Sequence, residues 1–152
     1  MGYHIDFNVD TVTLYSDVHV YMYGSVVGNT GKKLDVDNIQ HMINETMERP
    51  IPVYIDGEPK DTYGVLDPFN INRLVGFAQL IRDDIGINCR ITYTPTTTAG
   101  KNIMELPMEE LDHLTANFVL TSSTYNNSDE SEYLDVINIP CIEISFPDDG
   151  GK

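Results

Sequence analysis

Short segments in which apolar and polar residues alternate recur along this chain, and that period of two restricts its fold more than any other feature. The alternation is visible in residues 3–9, 18–27 and 88–94. A period of two is typical of a β-strand with one buried face and one exposed face. Further strands are predicted over residues 11–15, 51–56, 116–122, 133–138 and 141–146.

Two longer segments have the apolar spacing of helices. Asp37 is a suitable N-cap for a helix over residues 37–48, whose apolar residues recur on one face. A second helix is predicted over residues 67–86, with Pro68 in its first turn and Gly86 at its C-terminus. The wide apolar stripe of this second segment predicts that it packs against a sheet.

The predicted strands and helices are clustered rather than strictly alternating, which favours an α+β fold over a doubly wound parallel sheet. A third, short helix is predicted over residues 107–114, and residues 95–102 have the composition of a Thr/Gly loop. The expected fold is α+β, with mostly antiparallel sheet or sheets of about six to eight strands and two or three helices packed on one face. The 152 residues fit one globular domain, residues 1–152.

Composition excludes two broad classes of protein. Hydrophobic residues make up 41% of the chain, which is too many for a disordered protein and too few for a membrane protein. The N-terminus lacks the basic region and apolar core of a secretory signal. Cys89 and Cys141 lie inside alternating segments and are interpreted as small core residues. The expected location is the cytoplasm, or the host cytoplasm if the protein is viral.

The strongest compositional signal is an uneven negative charge. The formal net charge is −15. Residues 102–151 contain eleven acidic residues and no lysine or arginine. Such a stretch cannot neutralise phosphates, so direct binding to nucleic acid or to an anionic membrane is disfavoured. The same charge favours a basic protein partner, although acidity also serves solubility alone.

Local motifs offer little catalytic or metal-binding chemistry. Residues 24–33 are rich in glycine, but they place Val26 and Lys33 where a phosphate-binding P-loop needs Gly and Ser or Thr. Residues 35–40 begin like a calcium loop and then place Ile39 where an oxygen ligand is required. The four histidines form no closely spaced pair, so neither a metal site nor a cofactor is predicted.

One tripeptide has a catalytic character. His113 and Thr115 form a His-X-Thr pattern that leads into an apolar run. The pattern resembles half of the signature of the two-histidine phosphoesterases, in which two such motifs hold a phosphodiester between a base and an acid. None of the other histidines is followed by a serine or threonine two positions later. The second half of the signature is therefore missing.

The leading functional hypothesis is a small acidic inhibitor or adaptor that neutralises a basic, nucleic-acid-handling partner such as a nuclease. Phage proteins that inhibit restriction or CRISPR systems, and immunity proteins against toxic nucleases, are small acidic domains of this kind. Carboxylates would stand in for phosphates on the partner's surface. The candidate contact residues are Glu105, Glu109, Glu110, Asp112, Asp129, Glu130, Glu132 and Asp135.

Two alternatives from other functional classes remain open. A strand-rich domain with few catalytic residues also suits a structural subunit of a phage or another multimeric assembly, which would form a homo-oligomer. The third hypothesis is a small phosphodiesterase that uses His113 and Thr115.

Overall fold

The structure, a computed structural model, describes residues 3–7, 12–56, 71–122 and 132–146. Within these ranges the chain forms ten β-strands and three α-helices. The strands are β1 (Tyr3–Phe7), β2 (Val12–Met22), β3 (Val26–Val27), β4 (Lys32–Leu34), β5 (Ile51–Ile55), β6 (Leu74–Arg82), β7 (Gly86–Tyr93), β8 (Thr115–Ser122), β9 (Tyr133–Leu134) and β10 (Val136–Ser145). The helices are α1 (Gln40–Glu45), α2 (Thr98–Met104) and α3 (Met108–Leu111).

The strands form two sheets. The larger sheet has seven strands in the order β1-β2-β7-β6-β5-β10-β8, and the smaller sheet has three in the order β3-β4-β9. The pairs β5–β10 and β4–β9 are parallel, and the other pairs are antiparallel. The α+β class and the mostly antiparallel pairing agree with the expectation, which did not specify the two parallel pairs. Pairing direction depends on how distant segments meet, and local periodicity carries no information on it.

The seven-stranded sheet curls, so that β8 at one edge lies beside β2 near the other edge. The concave face of the curled sheet carries the main hydrophobic core, and we call the opposite face the outer face. Fully buried core side chains include Val53, Leu80, Ile87, Ile91 and Ile142. Ile43 from α1, Ile103 from α2 and Leu111 from α3 belong to the same core.

The prediction of a helix over residues 67–86 is wrong. Residues 71–73 form a short 3-10 helix, and Leu74–Arg82 is the strand β6, which lies between β5 and β7. Alternate side chains of this strand, at Phe77, Gln79 and Ile81, are exposed or half-buried, but two of the three are apolar, so the sequence reads as a nearly continuous apolar run. Such a run does not distinguish a buried strand from a buried helix. Residues 67–70 of this prediction lie outside the described residues.

The prediction of a loop over residues 95–102 is also wrong in part. Thr98–Met104 is the helix α2, with Thr97 as its N-cap. The Thr97 hydroxyl accepts a hydrogen bond from the Gly100 N–H at 3.0 Å and donates one to the carbonyl of Leu74. A Cβ at Gly100 would lie 1.9 Å from the carbonyl oxygen of Thr94, so glycine permits the close contact between helix and strand.

A register shift in β2 changes which side chains face the core. The pairing of β2 with β7 is irregular between His19 and Tyr21. Simple alternation placed Tyr21 on the face opposite to Val18, yet both side chains are buried in the core. Met22, which alternation placed with Val18, is exposed. One extra residue in a strand is enough to reverse the faces that follow it.

Candidate functional site

The predicted acidic contact residues lie on two separate parts of the fold. Glu105, Glu109, Glu110 and Asp112 belong to the short segment from the end of α2 through α3, and all four are exposed. Glu132 and Asp135 flank β9 in the smaller sheet, where the Lys33 N–H donates to the Glu132 carbonyl at 2.7 Å. Asp129 and Glu130 lie outside the described residues. The described contacts do not join the two groups.

The segment that carries the first group is anchored to the core from within. Ile103 in α2 and Leu111 in α3 are each 2% exposed, so apolar burial holds both helices against the sheet. The backbone N–H of Glu110 donates a hydrogen bond to the carbonyl of Pro107 at 3.0 Å, at the start of α3. The acidic side chains therefore project from a supported backbone rather than from an unanchored loop.

Three arginines in or next to β6 and β7 are paired with acids of the same chain. Arg73 contacts Glu143 at 3.0 Å, Arg82 contacts Asp37 at 2.9 Å and Arg90 contacts Asp17 at 2.9 Å. By contrast, Glu105, Glu109 and Glu110 form no ion pair with any other side chain in the described part of the chain. Each of these three arginines therefore offsets the negative charge of one acid. The carboxylates of Glu105, Glu109 and Glu110 are exposed to solvent instead.

A polar cluster occupies part of the outer face. Register pairing places Asp17 opposite Arg90, and the Arg90 guanidinium lies 5.2 Å from the centre of the Tyr15 ring. The neighbouring row places His19 opposite Asn88. The side-chain oxygen of Asn88 is buried and has no hydrogen-bond partner among the described residues. A buried acceptor without a donor costs about 1–3 kcal/mol, so this row is less well satisfied than the first.

Asp83 organises the turn between β6 and β7. Its Oδ1 accepts hydrogen bonds from the N–H groups of Ile85 at 2.9 Å and Gly86 at 2.8 Å, and its Oδ2 lies 3.0 Å from His19 Nε2. Desolvation raises the pKa of Asp83, but the bonds from Gly86, Ile85 and His19 outweigh it. The net effect is a pKa below the ordinary value for aspartate. The ionised carboxylate therefore stabilises this turn.

The lowered pKa of Asp83 predicts a loss of stability in acid. A carboxyl group with a depressed folded-state pKa stabilises the fold fully above its unfolded pKa, and the stabilisation is lost as the pH falls through the folded value. We expect Asp83→Asn to reduce the pH dependence of the free energy of unfolding between about pH 5 and pH 2. Urea titrations across that range measure it. An unchanged pH dependence in the variant would contradict this role.

The residues of the predicted phosphodiesterase motif lie at the junction of α3 and β8. His113 is exposed in the turn after α3, and its backbone N–H donates a hydrogen bond to the Glu110 carbonyl at 3.2 Å. The Thr115 hydroxyl lies 2.9 Å from the Ser145 hydroxyl. Among the other histidines with described side chains, His19 contacts Asp83 and His41 lies on α1. No described contact joins either of them to His113, and the phosphodiesterase remains a prediction.

The two cysteines are unsuited to nucleophilic chemistry at neutral pH. Burial raises the pKa of Cys141 to about 11, and it raises the pKa of Cys89 further. Both thiols are free and buried, as the alternating sequence predicted. Since the thiolate is the reactive form, both side chains act as packing groups.

No metal centre is formed by the described residues. Within the four described ranges, no three or more His, Cys, Asp or Glu side chains are placed to hold a metal ion. The same ranges contain no helix with the length and apolar character needed to cross a membrane.

Two adjoining clefts lie on either side of the turn between β2 and β3, and Tyr21 lines both. One has a volume of about 280 Å³ and separates β2 from Asn117 and Phe118 of β8. The other has a volume of about 270 Å³ and is lined by residues that include Tyr23 and Tyr133. This end of the molecule therefore offers concave surface beside exposed aromatic rings.

Comparisons with known proteins identify no relative. No protein-family model, no curated protein and no solved structure matches the chain. The function must therefore be argued from the residues and their placement.

Sequence reasoning missed the features at the turns. The residues at the turn between β2 and β3 come together from segments that are distant in the chain, and no local motif joins them. A hairpin signal was present, because Asp83 and Gly86 lie between two apolar segments. Reading that signal would have predicted the hairpin of β6 and β7 in place of a helix.

Proposed function

We propose that this protein is an acidic inhibitor or adaptor that binds the basic surface of a nucleic-acid-handling protein. The observation that carries the proposal is the exposed set of carboxylates at Glu105, Glu109 and Glu110, which lie on a core-anchored segment and form no ion pair with any described side chain. Fixed charges of one sign accelerate encounter with a surface of opposite sign and determine orientation. The target surface would normally bind phosphates.

The proposal differs from acidity that serves only solubility, because it requires the negative charge to lie at one particular place on the surface. If net charge alone attracted a basic partner, reversing any two exposed acids would have the same effect. If the α3 segment, defined as residues 105–112, forms the contact, charge reversal there would place like charges against the partner. The chain offers a matched control, since Glu45 at the end of α1 and Glu48 just after it are also exposed.

The test measures binding of the full chain to an oligoarginine peptide over a range of salt concentrations. We expect binding at low salt that weakens as salt screens the charges. The double substitution Glu109→Lys and Glu110→Lys is expected to weaken binding by about tenfold. Glu45→Lys with Glu48→Lys changes the net charge equally and should weaken it much less.

Two results would overturn the proposal. Absence of peptide binding by the unmodified protein at low salt would remove the premise of a basic partner. Equal losses in the two double variants would show that only net charge matters. Where binding behaves as expected, inhibition assays against basic nucleases would then identify the class of partner.

A further inference from the structure

Several exposed apolar side chains lie around the point where the turn between β2 and β3 approaches the turn between β6 and β7. The Tyr23 N–H donates to the Ile85 carbonyl at 2.9 Å, which joins the two turns. We define the tip surface as the five side chains of Met22, Tyr23, Val26, Ile85 and Tyr133, which are between 43% and 56% exposed. Met22 and Val26 line the first cleft, and Tyr23 and Tyr133 line the second.

Isolated exposed apolar side chains are common on protein surfaces, but groups of them beside clefts mark sites of interaction. The composition is also informative. Tyrosine, methionine and arginine are enriched in protein interfaces, and tyrosine and arginine supply much of their binding energy. Arg82 lies at this tip and lines the second cleft with the two tyrosines.

The tip surface is held in place by hydrogen bonds beneath it. The buried Tyr21 hydroxyl donates to the Ser25 carbonyl at 2.8 Å and accepts from the Leu34 N–H at 2.9 Å. Arg82 Nε donates to the Tyr23 hydroxyl at 3.0 Å, which holds an exposed ring in position. A surface that is ordered before binding loses less conformational entropy when a partner docks.

The charges around the tip surface distinguish between occupants. Four aspartates and two cations lie at its rim, namely Asp35, Asp37, Asp83, Asp84, Lys33 and Arg82. A second copy docked through the same surface would bring like-charged rims together, and the whole chain carries −15. A partner with basic residues around an apolar side chain would complement both the rim and the apolar centre.

We infer that the tip surface docks a basic protein partner by accepting an apolar side chain of that partner among its own exposed apolar groups. The inference rests on the proposed function, because it assumes a basic partner. The inference adds a second contact region. Apolar burial at the tip surface would supply affinity, and the carboxylates of the α3 segment would attract the basic partner. Neither the partner's apolar side chain nor this surface follows from net charge alone.

The test compares an oligoarginine peptide with the same peptide carrying one central leucine. We expect the leucine peptide to bind the full chain about tenfold more tightly, since burial of one apolar group in a formed pocket gives discrimination of that order. Backbone amide shifts in nuclear magnetic resonance spectra should move at residues 22–26 and 85. Ile85→Ala is expected to remove most of the preference for the leucine peptide.

Ile71→Ala is the matched control. Ile71 is 63% exposed, and the whole of β6 separates it from Ile85. Equal affinity for the two peptides, or equal losses in the two variants, would refute docking at the tip and leave the proposed function standing. Failure of both peptides to bind would refute the proposed function as well. Self-association of the unmodified chain that Ile85→Ala abolishes would identify a second copy as the occupant and overturn the inference.

Discussion

Replacing Gly86 with alanine is expected to lower the free energy of unfolding by about 3 kcal/mol, the upper end of the usual cost of overpacking. An added Cβ would lie 1.9 Å from the carbonyl oxygen of Tyr21 and 2.9 Å from the Cα of Met22. Both are backbone atoms of β2, so no side chain can rotate to make room. The start of β7 would have to separate from β2, with loss of pairing that extends from Met22 toward His19.

Gly31→Ala provides the control for this effect. Gly31 has a φ of 70°, and an added Cβ there would meet no atom within 4 Å. Its substitution should cost about 1 kcal/mol through left-handed backbone strain alone. Urea unfolding followed by circular dichroism measures both values. Similar losses in the two variants would mean that the contact between Gly86 and β2 is not tight.

Replacing Glu143 with alanine is expected to cost about 2 kcal/mol, because it removes a charge-assisted hydrogen bond from the buried guanidinium of Arg73. The Arg73 side chain is 10% exposed, and its NH2 group lies 3.0 Å from Glu143 Oε2. Arg73 Nε also donates to the Ile55 carbonyl at 3.0 Å, which ties the segment before β6 to the end of β5. The Glu143 side chain is 37% exposed, so the estimate lies below the range for a fully buried pair.

A double-mutant cycle tests whether this cost comes from the interaction between the two side chains. Arg73→Met combined with Glu143→Leu removes both charges and retains apolar volume. The double variant should be more stable than Glu143→Leu alone, since in the double variant the buried guanidinium that loses its Glu143 acceptor is also removed. Strictly additive losses from the two sites would show that the two side chains do not interact. Thermal and urea unfolding of the four proteins supply the comparison.

Parts of the fold were predictable because they depend on near neighbours in the chain. The alternation in residues 88–94 predicted β7, whose Ile87, Cys89 and Ile91 face the core. The short helix predicted over residues 107–114 is present as α3, at Met108–Leu111. In both cases the local spacing of apolar residues matches the face that is buried.

Other elements could not be predicted because distant contacts determine them. Leu74–Arg82 is a strand since β5 and β7 flank it, and its own sequence fits a buried helix equally well. Thr98–Met104 is a helix although its sequence is rich in loop-forming residues. There the Thr97 hydroxyl bonds both to α2 and to Leu74, so packing against β6 stabilises a weak local preference.

The acidic contact residues were also only partly predictable from the sequence. Charge counting alone selected Glu105, Glu109 and Glu110, because the excess of acids over lysine and arginine after residue 101 is visible in the sequence. It grouped them with Glu132 and Asp135, which flank a strand of the other sheet. Sequence order carries no information on which of these acids share a surface.

By itself, the sequence determined the negative charge, its concentration after residue 101 and the strand-rich α+β class, since these follow from composition and short-range periodicity. Only the tertiary structure decided the parallel pairing of β5 with β10 and the meeting of Tyr23, Ile85 and Tyr133 at one end. Residues separated by many positions are brought together by burial of the whole core. That burial is a property of the folded chain and not of any one segment.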